Sequence, residues 1–236
     1  MARASATTGI PRIVTDVVAS ASGSELRSDP VEPRTGGPAG NARLTAWTGL
    51  LLLAGFLVEC FTLLSLRAML SLHILVGAIL IPLVLLKTAT TGWRILRYYT
   101  GAASYRTAGP PPLLLRMLGP LVVLTGLAVL GSGLALVPLG DSSYDEIVTV
   151  AGQRIDPLTI HKICFVLWLV ATGAHVLART VPAMQLTVVR RKRRTVPGAA
   201  ARAAVVAVTL AASAVTGVIV TDLPSDWSHA HYFDDR

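Results

Sequence analysis

Long apolar runs separated by short polar interruptions dominate this chain. Five of them, residues 44–66, 69–92, 113–137, 158–182 and 199–220, carry few charges. A hydrocarbon core of roughly 30 Å takes about 20 residues at helical rise, so each run is long enough to cross one. Helix is the required conformation, because a lipid-exposed strand would leave its backbone N–H and C=O groups unpaired. Only Arg67 and Ala68 separate the first two runs, which predicts a tight antiparallel hairpin of helices. The expected fold class is all-α: a polytopic membrane bundle of about five transmembrane helices over residues 43–221, between tails at 1–42 and 222–236.

The polar interruptions orient the bundle. Arg94, Arg97 and Arg106 follow the second run, and Arg190, Arg191, Lys192, Arg193 and Arg194 follow the fourth, so these loops are expected in the cytoplasm. Asp141, Asp145, Glu146 and Asp156 outnumber Arg154 and Lys162 in the loop after the third run. The last segment holds Asp222, Asp226, Asp234 and Asp235, and both acidic segments are expected outside. This places the N-terminus in the cytoplasm and the C-terminus outside a multi-pass plasma-membrane protein. Residues 1–42 are too poor in apolar side chains to offset the entropy of ordering and read as a disordered tail. That tail lacks the apolar core of a cleavable signal, so the first helix is expected to direct membrane insertion. Ile147 to Ile155 alternates around Gly152 as a small hairpin would, Asp156-Pro157 suits a helix cap and first turn, and Pro82 predicts a kink in the second helix.

Composition agrees, with 53% hydrophobic and 14% charged residues. The net charge of +8 sits in arginine clusters beside the apolar runs, where it meets anionic headgroups, so the bilayer and not nucleic acid is the expected partner. Cys60 and Cys164 both lie within apolar runs and read as small buried residues, not as a disulfide framework or a zinc site.

Ionisable residues inside spans are costly, which singles out the histidines. His161 and His175 are fourteen residues apart in the fourth run. At about 100° per residue they share one face, roughly 40° apart and about 21 Å along the axis. His73, near the outer end of the second run, falls at nearly the depth of His161. Two imidazoles from neighbouring helices at one depth are what bis-histidine ligation of a b-type haem requires. Gly77 lies one turn below His73, Gly173 sits near His175, and Gly119, Gly126 and Gly133 recur every seventh residue. Small residues at this spacing either make room for a macrocycle or let helices pack closely.

Fourteen residues after His73 comes Lys87, which could ligate iron as a neutral amine, pair with a haem propionate, or snorkel to the headgroups, the commonest behaviour. Glu59 lies slightly deeper than His73 across the expected hairpin. It could orient an imidazole, carry a proton, or stay protonated and hydrogen-bonded. Trp93, Tyr98 and Tyr99 with Arg94 and Arg97 form an interfacial belt, more often an anchor than a quinone or lipid site. His229 and His231, in Ser-His-Ala-His-Tyr, suit a solvated tail better than a loose metal contact.

Leu72-His73-Ile74-Leu75-Val76-Gly77, the end Pro82-Leu83-Val84-Leu85-Leu86-Lys87, and His161 with His175 resemble the bacterial membrane cytochrome b superfamily. That superfamily includes cytochrome b561-like proteins and an actinobacterial-type group of small membrane proteins. Gly119-Pro120-Leu121-Val122-Val123-Leu124 leading to Gly131-Ser132-Gly133 is similar to that group's third helix, and the resemblance spans residues 44–220. It implies haem-ligand roles for His73, His161 and His175 and one haem b, or two. Lys87 departs from a two-by-two histidine pattern and weighs against the second. The expected function is an electron-transfer subunit, with a membrane quinol and a redox partner protein as its contacts. No catalytic triad, nucleotide-binding loop or metal-hydrolase motif points to an independent enzyme. The alternative is a haem-free scaffold for an external oxidoreductase, or a small transporter relaying protons through Glu59, His73 and His161.

Overall fold

The computed structural model describes residues 29–110, 113–187 and 195–223, together with 18, 19 and 22. The expected Arg190 to Arg194 cluster, His229, His231 and the acidic residues after Leu223 lie outside the described residues. The apolar runs form helices α1 (Gly37–Thr62), α2 (Leu66–Tyr99), α4 (Leu113–Leu139), α5 (Pro157–Thr187) and α6 (Ala199–Thr221), with a short α3 (Ala103–Ala108) after α2. Four helical stretches are long and apolar enough to cross a membrane: 37–99, 115–144, 157–187 and 199–221.

The first stretch, 63 residues long, is folded back on itself. A 3-10 turn at Leu63–Ser65 separates α1 from α2, and Ser65 leaves helical geometry at φ −148° and ψ 62°. Asn41 donates to the Thr90 carbonyl at 3.0 Å and Lys87 to the Thr45 carbonyl at 2.7 Å, while Thr62 meets His73 at the other end. These rungs define an antiparallel pair. Within α2 the departure from helical dihedrals is at Met69 (φ −116°, ψ 18°); the chain passes through Pro82, where a kink was expected, without leaving them.

α1 begins at Gly37, upstream of the expected Leu44, and the segment before it is seated on the bundle. Asp29 accepts two hydrogen bonds from Arg94, at 2.7 and 3.1 Å, and Glu32 accepts one from Ser104. Arg202, on the first turn of α6, donates to the carbonyls of Thr35 (3.2 Å), Val196 (3.0 Å) and Pro197 (2.7 Å), which ties the starts of α1 and α6 together. Residues 29–42, which composition assigned to the tail, therefore belong to the folded unit. Partners so distant in sequence leave no trace in local hydrophobicity.

Opposite this end lies the loop between α4 and α5. β1 (Val148–Val150) and β2 (Gln153–Ile155) pair antiparallel, with Val150 opposite Gln153. The two-residue turn has positive φ at both Ala151 (49°) and Gly152 (79°), the geometry that matches strand twist in short hairpins. Asp156 then caps α5, its Oδ1 accepting from the Thr159 N–H at 2.6 Å, with Pro157 as the first helical residue.

Packing is inverted relative to a soluble domain. Leu64, Val170, Leu177 and Val208 face outward at 69–82% exposure, whereas Thr48, Thr62, Ser143 and Ser213 are buried. Leu52, Leu80, Leu83 and Val84 form a core between α1 and α2, with Leu130 of α4 against it. α6 docks on α2 through Gly217, where an added Cβ would stand 3.0 Å from Leu75 Cδ1 and 3.1 Å from Ile79 Cγ1. Gly217→Leu is expected to overpack this seam and cost about 1–3 kcal/mol. Thermal melting in detergent should drop for this variant but stay unchanged for Gly119→Leu, since nothing lies within 4 Å of a Cβ at Gly119.

Candidate functional site

The α1–α2 turn and the start of α5 bring the expected outer residues together. His73 of α2 and His161 of α5 lie edge-on to one another, with ring centroids 6.5 Å apart and ring planes at 79°. Beside them is a cavity of about 1100 Å³, slightly above the roughly 300–1,000 Å³ usual for small-molecule sites. Its walls are apolar, with Leu80, Leu130 and Phe165 among them. Phe56 and Trp168 sit edge to face at 4.6 Å along its inner side. Arg67, Asp141, Tyr144 and Lys162 border its outer part.

Hydroxyl groups set the tautomers of both rings. His73 Nδ1 lies 2.9 Å from Glu59 Oε1 and 2.9 Å from Thr62 Oγ1. The Thr62 hydroxyl hydrogen is committed to the Glu59 carbonyl at 2.6 Å, so its oxygen accepts from His73, and Nδ1 must carry the proton. The same logic holds for His161. Ser132 Oγ donates to the Val129 carbonyl at 3.1 Å and accepts from His161 Nδ1 at 3.0 Å. Each imidazole is thus held by an acceptor at Nδ1, and among the described residues neither Nε2 has a hydrogen-bond partner. Both lone pairs are left for a ligand.

Glycines keep this arrangement open. A Cβ at Gly133 would stand 3.0 Å from His161 Cε1, and one at Gly77 would stand 3.4 Å from Glu59 Oε1. Of the three glycines at seven-residue spacing, Gly133 faces His161, Gly126 faces Trp168 and Gly119 faces open space. Close packing and room for a ring are divided among them. Glu59 takes the orienting position on His73, while its Oε2 is buried without a partner.

The remaining expected residues lie elsewhere. His175 is in the inner half of α5 with no partner for Nδ1, and Gly173 beside it faces open space. Lys87 neither approaches His73 nor snorkels outward, and its ammonium is bonded to α1. Cys60 borders the outer cavity, and both it and Cys164 are free thiols. In the aromatic belt, the Arg97 guanidinium lies 5.6 Å from the Trp93 ring centre and 5.8 Å from that of Tyr105.

Thr62 and Ser132 were missed by sequence reasoning. Thr62 follows Glu59 by three residues, hence on the same helix face, and Ser132 stands between two glycines, where its hydroxyl is accessible to a neighbouring helix. Both signals are weak without knowledge of which helices adjoin. Among the described residues, no group of three or more His, Cys, Asp or Glu side chains gathers as a metal site built from protein alone would need.

This fold and site define a helical bundle of membrane type with a paired-imidazole cavity near one end. No protein-family model, curated protein or solved structure matches the chain. In ¹⁵N-histidine spectra of the purified protein, His73 and His161 are expected as Nδ1-protonated tautomers, and Ser132→Ala should convert His161 to a mixture. An Nε2-protonated signal for either ring in the unaltered protein would contradict the assignment.

Proposed function

We propose that the chain is a membrane b-type cytochrome-like electron-transfer subunit that binds haem between α2 and α5. The observation that carries this reading is the proximity of His73 and His161 across the cavity. If both imidazoles bound one iron at nitrogen distances of roughly 2 Å, their ring centres would stand about 6 Å apart, a separation close to the 6.5 Å between them here. Two protein ligands suffice for an iron whose other positions a porphyrin fills. Bound haem would supply one-electron transfer. His73 and His161 would hold it through their Nε2 atoms, the apolar cavity would lower the local dielectric, and Glu59 would raise the donor strength of His73 through Nδ1.

We read the 37–99 stretch as two crossings, giving five in all, with the N-terminus in the cytoplasm and the C-terminus outside a plasma membrane. Arg94, Arg97 and Arg106 at one end and Asp141, Asp145, Glu146 and Asp156 at the other support this orientation. It puts the paired imidazoles in the outer half, within reach of an external redox partner, while quinol in the bilayer is a fitting donor. Among the described residues no second imidazole is paired with His175, so one haem is the reading favoured here. The competing reading, a haem-free proton relay, is favoured by the succession Glu59, His73, His161 within one cavity.

An optical spectrum separates the two. Protein expressed with ample haem, purified in mild detergent and reduced with dithionite should show a b-type α-band. His73→Ala and His161→Ala should each abolish it, and His175→Ala should keep it. A missing band in the unaltered protein would end the cytochrome reading. Glu59→Gln should raise the haem midpoint potential by on the order of 40 mV, about 1 kcal/mol for one electron, because a carboxylate beside the ligand favours the oxidised iron. An unchanged potential would remove Glu59 from that role.

A further inference from the structure

A second cavity, of about 490 Å³, lies at the basic end of the bundle, between the starts of α1 and α6 and the end of α2. Its volume is within the range of small-molecule sites. Three arginines line it, Arg34, Arg97 and Arg202, against one carboxylate, Glu32, which accepts a hydrogen bond from Ser104. Nearby, Arg94 and Asp29 neutralise each other at 2.7 Å, whereas among the described residues no carboxylate pairs with Arg34, Arg97 or Arg202. The cavity therefore carries an excess of positive charge.

Two of the guanidinium groups are fixed in place by the fold. Arg202 gives Nη1 to the carbonyls of Thr35 and Pro197 and Nη2 to that of Val196, which uses three of a guanidinium's five N–H donors. Glycines leave it room, since a Cβ at Gly40 would stand 3.0 Å from its Nη1 and one at Gly198 would stand 3.3 Å away. Arg97, in the last turn of α2, lies 5.6 Å from the Trp93 ring centre and 5.8 Å from that of the buried Tyr105. These aromatic contacts hold the cation without consuming its N–H donors.

The cavity changes character along its length. Leu44 lies seven residues beyond the start of α1 and Val205 six beyond the start of α6, roughly 9–11 Å along the axes, and both line its inner part. Trp93 and Val205 are also exposed on the outside of the bundle, so the cavity opens sideways between helices and not only at their ends.

We propose that this cavity binds the phosphate of an anionic phospholipid, with Arg97 and Arg202 on the phosphate oxygens and the glycerol backbone leaving between Leu44 and Val205. Guanidinium groups present N–H pairs at the spacing of phosphate oxygens, and basic pockets between membrane helices suit anionic headgroups. A free phosphate would meet the arginines and leave the apolar half without a partner. A lipid without net charge would meet the apolar half and leave the positive charge unbalanced. The site is at the opposite end of α1 and α2 from Glu59, Thr62 and His73, so it does not depend on whether haem is bound.

Native mass spectrometry of the delipidated full chain, titrated in detergent with phosphatidylglycerol or phosphatidylcholine, tests it. One phosphatidylglycerol should bind several-fold more tightly than phosphatidylcholine, and Arg97→Gln should weaken it on the order of tenfold, the loss of a charge-assisted hydrogen bond. Arg106→Gln removes the same charge from exposed α3, outside the cavity, and should leave the affinity unchanged. Val205→Trp narrows the apolar part without altering any charge and should weaken binding several-fold. Equal affinity for the two lipids, equal losses in Arg97→Gln and Arg106→Gln, or unchanged binding in Val205→Trp would each overturn the proposal. So would a melting temperature that inorganic phosphate raises at fixed ionic strength in the unaltered protein but not in Arg97→Gln, with no rise from phosphatidylglycerol, since that marks a soluble phosphate.

Discussion

A hydrocarbon surrounding cannot hydrogen-bond, and this constraint governs every polar side chain in the bundle. Hydroxyl groups answer it first by turning back onto their own helix, as Thr48 does onto the Leu44 carbonyl and Thr180 onto that of Val176. Thr62 and Ser132 do the same with their hydrogens, which leaves their oxygens as acceptors only. From that local necessity follows the protonation of two imidazoles at Nδ1 and the freedom of both Nε2 atoms. The chemistry open to the site is thus decided by hydroxyls that take no part in it.

The two ends of the bundle use different interactions. At one end, the Asp29–Arg94 pair and the three carbonyls gathered by Arg202 hold the starts of α1 and α6 beside the end of α2. At the other, the short turn between α1 and α2 and the Asp156 cap on α5 bring Glu59, His73 and His161 to one level. Between them, Leu52, Leu80 and Val84 with the Phe56–Trp168 pair form an apolar partition. This apolar middle lies between the His73–His161 pair and the Lys87–Thr45 hydrogen bond.

Much of the architecture was legible beforehand. Helical spans, the α1–α2 hairpin, the β-turn at Ala151-Gly152 and the Asp156 cap all follow from period, length and turn chemistry, which are local properties. So did the pairing of His73 with His161, because helical rise converts sequence position into depth. Where reading failed, the cause was a partner far away in the chain. Asp29 looked like part of a tail until Arg94 was beside it, and Lys87 looked like a snorkelling lysine although α2 continues twelve residues beyond it.

Periodicity and hydropathy, then, established which segments are helical, where along each helix the ionisable residues fall, and which histidines could meet. They could not establish azimuth, because the rotation of a helix about its axis depends on which neighbour it packs against. Only packing placed Ser132 under His161, Gly133 against its ring and Glu59 on His73, and sent Lys87 across to Thr45. Depth is a one-dimensional property that a sequence carries directly. Contact between helices is three-dimensional and arises when the apolar faces, the glycine gaps and the hydrogen-bonding needs of several spans are satisfied together.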